Sequence, residues 1–422
     1  MKRVIHVIAF LTIFCLLFDT LEVLCFDDAH VSDTWEFLQD ADAEPLDVLF
    51  MGNSHMYGGI NPLIINGATG LNTAVLASPS SFVGIELEDL KVFLKYQTPQ
   101  RIMLEATTVY ADKSDLISQH QGYIFNNYDG IQNQWSKFLA VANTLVLEDI
   151  PAGVFQLLRP TERWDRWDIF AQNLNIKETP ILRYNQGYHL GYNSLDAVYS
   201  EEDLVSVEEI ENFWKEETEV VPLLEYQEID FRAFLELTSQ KGIPVTVIMT
   251  PTLMTSEADR GRLKAIEQII KEYDNVDSLI NYHFDMREIG LGPEDFFDEG
   301  HLNRRGASKF SEYLTEQLCQ ESTCSISYDN VFAYRTEHVT QLENGFRRYE
   351  VECYRGDEQY YFFYRNAQGK TIGTTGYTSQ NYIDVPPDTP GGGITVRILP
   401  GWVDATSEEA SSWMISLALF EK

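Results

Sequence analysis

Asp47-Val48-Leu49-Phe50-Met51-Gly52-Asn53-Ser54-His55 is an apolar run that stops on a glycine and three polar residues. A continuous apolar stretch this short fits a strand buried on both faces of a parallel sheet, with Gly52-Asn53-Ser54 as the turn at its carboxyl end. Functional groups of open α/β sheets gather at the carboxyl ends of strands, which places the Ser54 hydroxyl in a crevice. About 240 residues later the chain reads Phe297-Asp298-Glu299-Gly300-His301-Leu302-Asn303, an aspartate and a histidine three positions apart, ahead of a helical pattern. A serine hydroxyl is a weak nucleophile until a base takes its proton, and an imidazole base needs a carboxylate to fix its tautomer. Either segment alone reads as a strand-ending turn or a capped helix start. Together, at opposite ends of one α/β pattern, they supply the parts of a triad: Ser54, His301 and Asp298.

The surrounding sequence alternates between strand and helix. Strands are predicted at residues 46–51, 73–77, 101–105, 245–249 and 280–284. Ser80 or Ser81 is a candidate cap for a helix lined by Phe82, Ile85, Leu90, Phe93 and Leu94, and further helices are predicted over 229–240, 257–273 and 305–318. The alternation implies a doubly wound, flavodoxin-like parallel sheet over residues 46–322. Residues 106–225 interrupt it and read as a helical insertion over the carboxyl ends of the strands, with Trp135, Trp164, Trp167 and Trp214 at spacings that favour core packing over sugar stacking. After Cys324 the texture changes to short β-rich segments at 331–334, 347–354, 359–364, 370–373, 394–399 and 413–420, broken by glycine and proline clusters. Asn366-Ala367-Gln368-Gly369 is a hairpin-type turn, and residues 323–422 read as a small all-β sandwich. Tyr360-Tyr361-Phe362-Phe363-Tyr364 reads as a core strand of it.

A chain of 422 residues is long enough for two domains and a tether. Its formal charge of −34 repels phosphate backbones, which excludes nucleic acid as a natural partner. Lys2 and Arg3 precede an apolar stretch from residue 4 to 18, and no small-residue cleavage site appears before Asp27. Residues 1–26 therefore read as an uncleaved signal anchor rather than a removed signal peptide, with the remainder outside the cytoplasm and 27–45 as an acidic stem. Cys15 and Cys25 fall in the apolar stretch, and Cys319, Cys324 and Cys353 in the exported part. Cys319 with Cys324 is the expected disulfide, with Cys353 as an alternative partner. No cysteine pair has zinc-site spacing, and His283 with Asp285 and His301 is a weak metal pattern, since a histidine used as a base cannot also be a ligand. No metal or cofactor is expected.

Gly52-Asn53-Ser54 followed by Asp298 to His301 resembles the SGNH/GDSL hydrolase superfamily over about residues 46–320. The Ser54-His55 pair, the Asp-x-x-His-Leu-Asn extension and the N-terminal run are most similar to its membrane-anchored, cell-envelope group. That group includes the esterase-like protein of teichoic-acid D-alanylation and the O-acetyltransferases of exopolysaccharide assembly. The resemblance implies an oxyanion hole built from the Ser54 amide, a second-block amide that here falls to Ala77, and a third-block asparagine side chain. This chain instead has Glu105-Ala106-Thr107-Thr108 after the third strand. An ionised Glu105 cannot donate a hydrogen bond, which leaves Thr107 or Thr108 as candidate donors and Asn53 and His55 as further groups at the substrate.

The expectation is an extracytoplasmic serine esterase or O-acyltransferase, held to the cell membrane by one pass, acting on an acylated cell-surface glycan or a small ester. The rival is a catalytically idle glycan-binding protein on the same scaffold. Losing one oxyanion donor costs about a hundred- to a thousand-fold in rate, so the missing asparagine keeps that rival open.

Overall fold

The structure is a computed structural model that describes residues 44–159, 190–195, 198–199, 205–322, 324–366, 370–386, 394–407 and 414–419, with scattered positions between 6 and 39. Five parallel strands form the central sheet: β1 (Val48–Gly52), β2 (Thr73–Ala77), β3 (Arg101–Glu105), β4 (Val245–Met249) and β5 (Val276–Asn281), in the order β2-β1-β3-β4-β5. Every residue of β1, β2 and β4 is buried. Their composition, apolar but for Thr73 and Thr246, is that of strands covered on both faces. Phe50 lies opposite Val75 on one side and Met103 on the other, so β1 is interior and its carboxyl end opens between two neighbours. Two sets of helices supply the cover. α1 (Ser54–Gly59) and α2 (Pro62–Thr69) pack with the closing helix, α12 (Arg304–Ser322), while α3 (Val83–Phe93) packs with α9 (Glu225–Lys241).

The sheet would end on an open edge at β2, but the chain returns to close it. The Val75 amide donates to the Leu190 carbonyl at 2.8 Å, which occupies the edge. Gly191 makes this approach possible: its φ is +87°, and a Cβ there would lie 1.8 Å from the Val75 carbonyl oxygen.

The strand pattern is as expected except at β5. Residues 282–284 form a 3₁₀ turn instead, because the Asn281 side chain accepts from the His283 amide and ends the strand. Neither Ser80 nor Ser81 caps α3: Phe82 is its N-cap, Ser80 takes a left-handed φ of 58°, and Ser81 turns its hydroxyl to Glu86.

The first part of the insertion is α4 (Ala106–Tyr110), α5 (Lys113–Asn127), α6 (Gln134–Thr144) and α7 (Ile150–Val154); α4 follows directly on the carboxyl end of β3 and packs against β1 and β4. α6 packs on α3, beside the sheet. Trp214, on α8 (Val207–Lys215), is core as expected, whereas Trp135 is exposed; Trp164 and Trp167 lie outside the described residues. The rest of the parallel-sheet domain is α10 (Glu257–Ile270) and α11 (Met286–Ile289).

The expected stem is corrected too. Trp35 and Leu38 are fully buried in the main core, and the Gln39 side chain donates to the carbonyls of Trp35 and Gly130 at 2.9 Å. Most of the expected anchor lies outside the described residues. Among the described residues no helix is long and apolar enough to cross a membrane.

Seven antiparallel strands follow: β6 (Tyr334–Gln341), β7 (Arg347–Cys353), β8 (Gln359–Arg365), β9 (Thr371–Thr378), β10 (Tyr382–Val385), β11 (Ile394–Leu399) and β12 (Ile415–Leu419). They make a three-stranded sheet, β10-β7-β6, and a four-stranded sheet, β12-β11-β8-β9. Tyr349 and Val351 from the first share a core with Tyr360, Phe362 and Val396 from the second. Period-two alternation along β8 sends Tyr360 and Phe362 inward. Residues 331–333 are not the strand expected there: Val331 and Ala333 instead pack with Ile64 and Ala68 of α2, which joins the small β domain to the first. β10 was not anticipated. Cys319 and Cys324 are disulfide-bonded with Cα atoms 4.9 Å apart, and Cys353 is a free thiol.

Candidate active site

Ser54 is the first residue of α1, immediately past the end of β1. Asn53 makes the turn. Its side-chain oxygen accepts from the His55 amide at 3.0 Å, and its carbonyl accepts from Met56 at 3.0 Å, so the helix starts without a spare residue. This capping uses the amides of His55 and Met56 and leaves that of Ser54, which finds no acceptor among the described residues.

The second segment is shaped by its own backbone. Phe296 and Leu302 bridge in antiparallel fashion and the Phe297 amide donates to the His301 carbonyl at 2.8 Å, so residues 297–301 form a tight loop. Within it Asp298 Oδ1 accepts from the Gly300 amide at 2.8 Å. The Leu253 amide, after β4, donates to the Glu299 carbonyl at 2.7 Å and ties this loop to the sheet.

These two pieces meet. Ser54 Oγ lies 2.7 Å from His301 Nε2, and His301 Nδ1 lies 2.7 Å from Asp298 Oδ1. Burial alone would raise the Asp298 carboxyl, but hydrogen bonds from the His301 ring and from the Gly300 and His301 amides outweigh it and hold Asp298 below its ordinary range. An ionised Asp298 keeps the proton on His301 Nδ1, which leaves Nε2 as an acceptor facing Ser54. The arrangement can take a proton from Ser54 as its oxygen attacks.

The oxyanion side differs from the expectation. Ala77 is opposite Gly52 in the strand register, so the end of β2 stands beside the nucleophile turn. Neither threonine is available as a donor. Thr107 Oγ1 accepts from Asn53 Nδ2 at 2.8 Å and donates to Glu105 Oε1 at 3.3 Å, while Thr108 Oγ1 donates to the Glu105 carbonyl at 2.7 Å. A hydroxyl has one proton, and both are committed. Asn53 gives one amide hydrogen to Thr107 and its oxygen to the His55 amide, so it acts on the turn.

Glu105 holds this side together. It is fully buried, and its second oxygen accepts from the Thr250 amide at 3.3 Å. Its first oxygen lies 3.9 Å from His55 Nδ1, and the His55 ring meets His301 edge-on with centroids 5.2 Å apart. His55 therefore stands beside the triad with a carboxylate behind it. Gly52 permits this closeness, since a Cβ there would fall 2.6 Å from Glu105 Cβ.

His283 belongs to the support. Its Nε2 accepts from the Thr252 amide at 3.1 Å, its Nδ1 lies 2.7 Å from Asn281 Oδ1, and the ring stacks on Trp214 at 4.3 Å. A backbone donor at one nitrogen and a carbonyl oxygen at the other define a neutral ring with the proton on Nδ1. Burial, with the nearby His55, pushes its pKa down to about 3. Sequence reasoning grouped His283 with Asp285 and missed Thr252 and Trp214, which come from segments remote along the chain.

No family model matches this chain, and no curated protein matches it. The α/β domain, with its parallel strands in the order 2-1-3-4-5, is consistent with a flavodoxin-like or SGNH-type fold, and no family is identified.

Proposed function

We propose that the protein is a serine esterase or O-acyltransferase that takes acyl esters of a cell-surface glycopolymer, tethered outside the cytoplasm by its N-terminal segment. The observation that carries this reading is the hydrogen-bond chain from Ser54 through His301 to Asp298, with both links at 2.7 Å. Ser54 Oγ bonds to the acyl carbon while His301 Nε2 takes its proton. The tetrahedral oxyanion is met by the Ser54 amide, at the start of the nucleophile helix. As the ester C–O bond breaks, His301 returns the proton to the departing alcohol and leaves an acyl-Ser54 ester. Water or a sugar hydroxyl then attacks that ester, with His301 again holding the proton in transit.

The test is labelling by a serine-reactive phosphonate followed by intact mass, alongside turnover of a small chromogenic acetyl ester. One adduct on the natural chain and none on Ser54→Ala, with turnover lost in that variant, is the expected result. A Ser54→Ala variant that still turns over the ester removes the triad. A natural chain that takes no label and shows no turnover leaves the glycan-binding reading, which Glu105 in the third-block position favours. The tether is tested separately: protease added to intact cells should digest the catalytic domain, and full protection contradicts the outward placement.

A further inference from the structure

α6 carries large apolar side chains on its outward face. Beside Ala140 and Val141, its inward face carries three polar residues, Ser136, Lys137 and Thr144, all buried. Each has a polar partner: Lys95 Nζ to Ser136 Oγ at 2.9 Å, Lys137 Nζ to Asp129 Oδ1 at 3.2 Å, and Tyr128 Oη with Thr144 Oγ1 at 2.6 Å. Its outward face carries Trp135, Phe138 and Leu139 at helical i, i+3, i+4 spacing, with Trp135 67% exposed. Past the helix, Leu147, which is 85% exposed, and Phe155 are further exposed apolar side chains. A soluble surface does not ordinarily gather large apolar side chains this way while sending a lysine inward.

The N-terminal apolar run reaches this surface. Phe18 packs edge-on against Phe155 with ring centroids 5.2 Å apart. The described positions Phe10, Ile13, Leu16 and Leu17 of that run are helical and themselves exposed. The end of the N-terminal run thus meets Phe155, on the segment that follows α6 and α7 in the chain.

We propose that this surface is a membrane-docking face: Trp135, Phe138, Leu139, Leu147 and Phe155 enter the boundary between headgroups and acyl chains, beside the N-terminal segment. The proposal rests on the anchored reading above and adds to it that the catalytic domain lies down on the bilayer. Tryptophan and phenylalanine at the edge of an apolar face suit that boundary, where one end of the ring is wet and the other dry. Attachment must be apolar, because a chain carrying −34 gains nothing from anionic headgroups. A domain held in this pose meets substrates that are themselves carried at the membrane surface.

The test places the full chain in phosphatidylcholine vesicles whose acyl chains are brominated close to the headgroup, and reads tryptophan emission for the natural chain and for Trp135→Phe. Trp135 is largely exposed, so this conservative variant keeps the fold. The emission difference between the two chains should be blue-shifted and roughly halved by the brominated lipid, equally with or without added phosphatidylglycerol. Flotation of the vesicles separates the two premises. A chain that does not float with the lipid overturns the anchor and the docking face together. A chain that floats while the Trp135 emission is the same in plain and brominated vesicles overturns the docking face alone. A Trp135 signal that is blue-shifted but unquenched also overturns it, since the face is then covered by another protein surface, a second copy included.

Discussion

Asp298 is where geometry and charge act on the same atom. Its Oδ1 accepts from the His301 ring and from the Gly300 amide, and both bonds favour the ionised form. Asp298→Asn keeps the shape but offers an amide in place of an acceptor, which turns the His301 tautomer away from Ser54. Turnover of a small ester should fall about ten-thousand-fold with the unfolding temperature nearly unchanged, measured as kcat and by calorimetry. His283 makes a different prediction, on stability. Its pKa is lowered from 6.5 to about 3, so above pH 6.5 it is neutral both folded and unfolded and favours neither state. As pH falls below 6.5 the unfolded chain takes a proton that the folded one refuses until about pH 3, and stability is lost across that window. Urea unfolding at pH 6 down to 4 should therefore show a slope that His283→Gln lacks, by up to about 1.4 kcal/mol per pH unit. Equal slopes in the two chains would mean that the ring is not held neutral.

At the scale of elements, the closing of the β2 edge depends on one backbone conformation. Gly191 has a left-handed φ, and the site of its missing Cβ is occupied by the Val75 carbonyl. Gly191→Ala cannot be relieved by moving a side chain, because the obstructing atom is the main chain of the sheet. The segment must leave the edge. A loss of at least about 2 kcal/mol is expected in urea unfolding, together with faster amide exchange at Val75. The same segment continues to the nucleophile helix, where the Asn193 amide donates to the Tyr57 carbonyl at 2.9 Å, so activity should fall with it.

On the scale of the whole molecule, the sheet domain and the β domain are not separable in the way their sequence textures suggest. Ile64 and Ala68 of α2 are buried by Val331 and Ala333, the Ser308 hydroxyl on α12 donates to the Tyr334 carbonyl at 3.0 Å, and Arg304 pairs with Glu337. A chain ending at Ser322 keeps every residue of the triad but uncovers this cluster. It should still hydrolyse a small ester while unfolding at lower denaturant, with a stability loss of about 3 kcal/mol. Ending the chain instead after Asp357, which retains the cluster, should recover part of that loss; equal stability of all three chains would show that the contact contributes nothing.

Much of this architecture was legible in the residues alone. β1, β2 and β4 are short and almost wholly apolar, as is the middle of β3, and that pattern has one good solution, a strand covered on both sides. The turn at Ser54 and the Asp298-to-His301 spacing were legible because each is local; the β2-β1-β3-β4-β5 order and the tie from Leu253 to Glu299 go with their meeting in the fold. The remainder depended on contacts between segments remote in the chain. Thr107 carries a free hydroxyl in the sequence, but the fold places it between Asn53 and Glu105 and takes its proton. His283 reads as a possible ligand until Trp214 and Thr252 arrive from elsewhere to make it a neutral support. Trp35 reads as part of a stem until Gly130 leaves room for its ring. Local pattern determines which residues form strands and which turn carries the nucleophile. Only tertiary packing decides which polar groups keep a free hydrogen bond, because that depends on every neighbour the fold delivers.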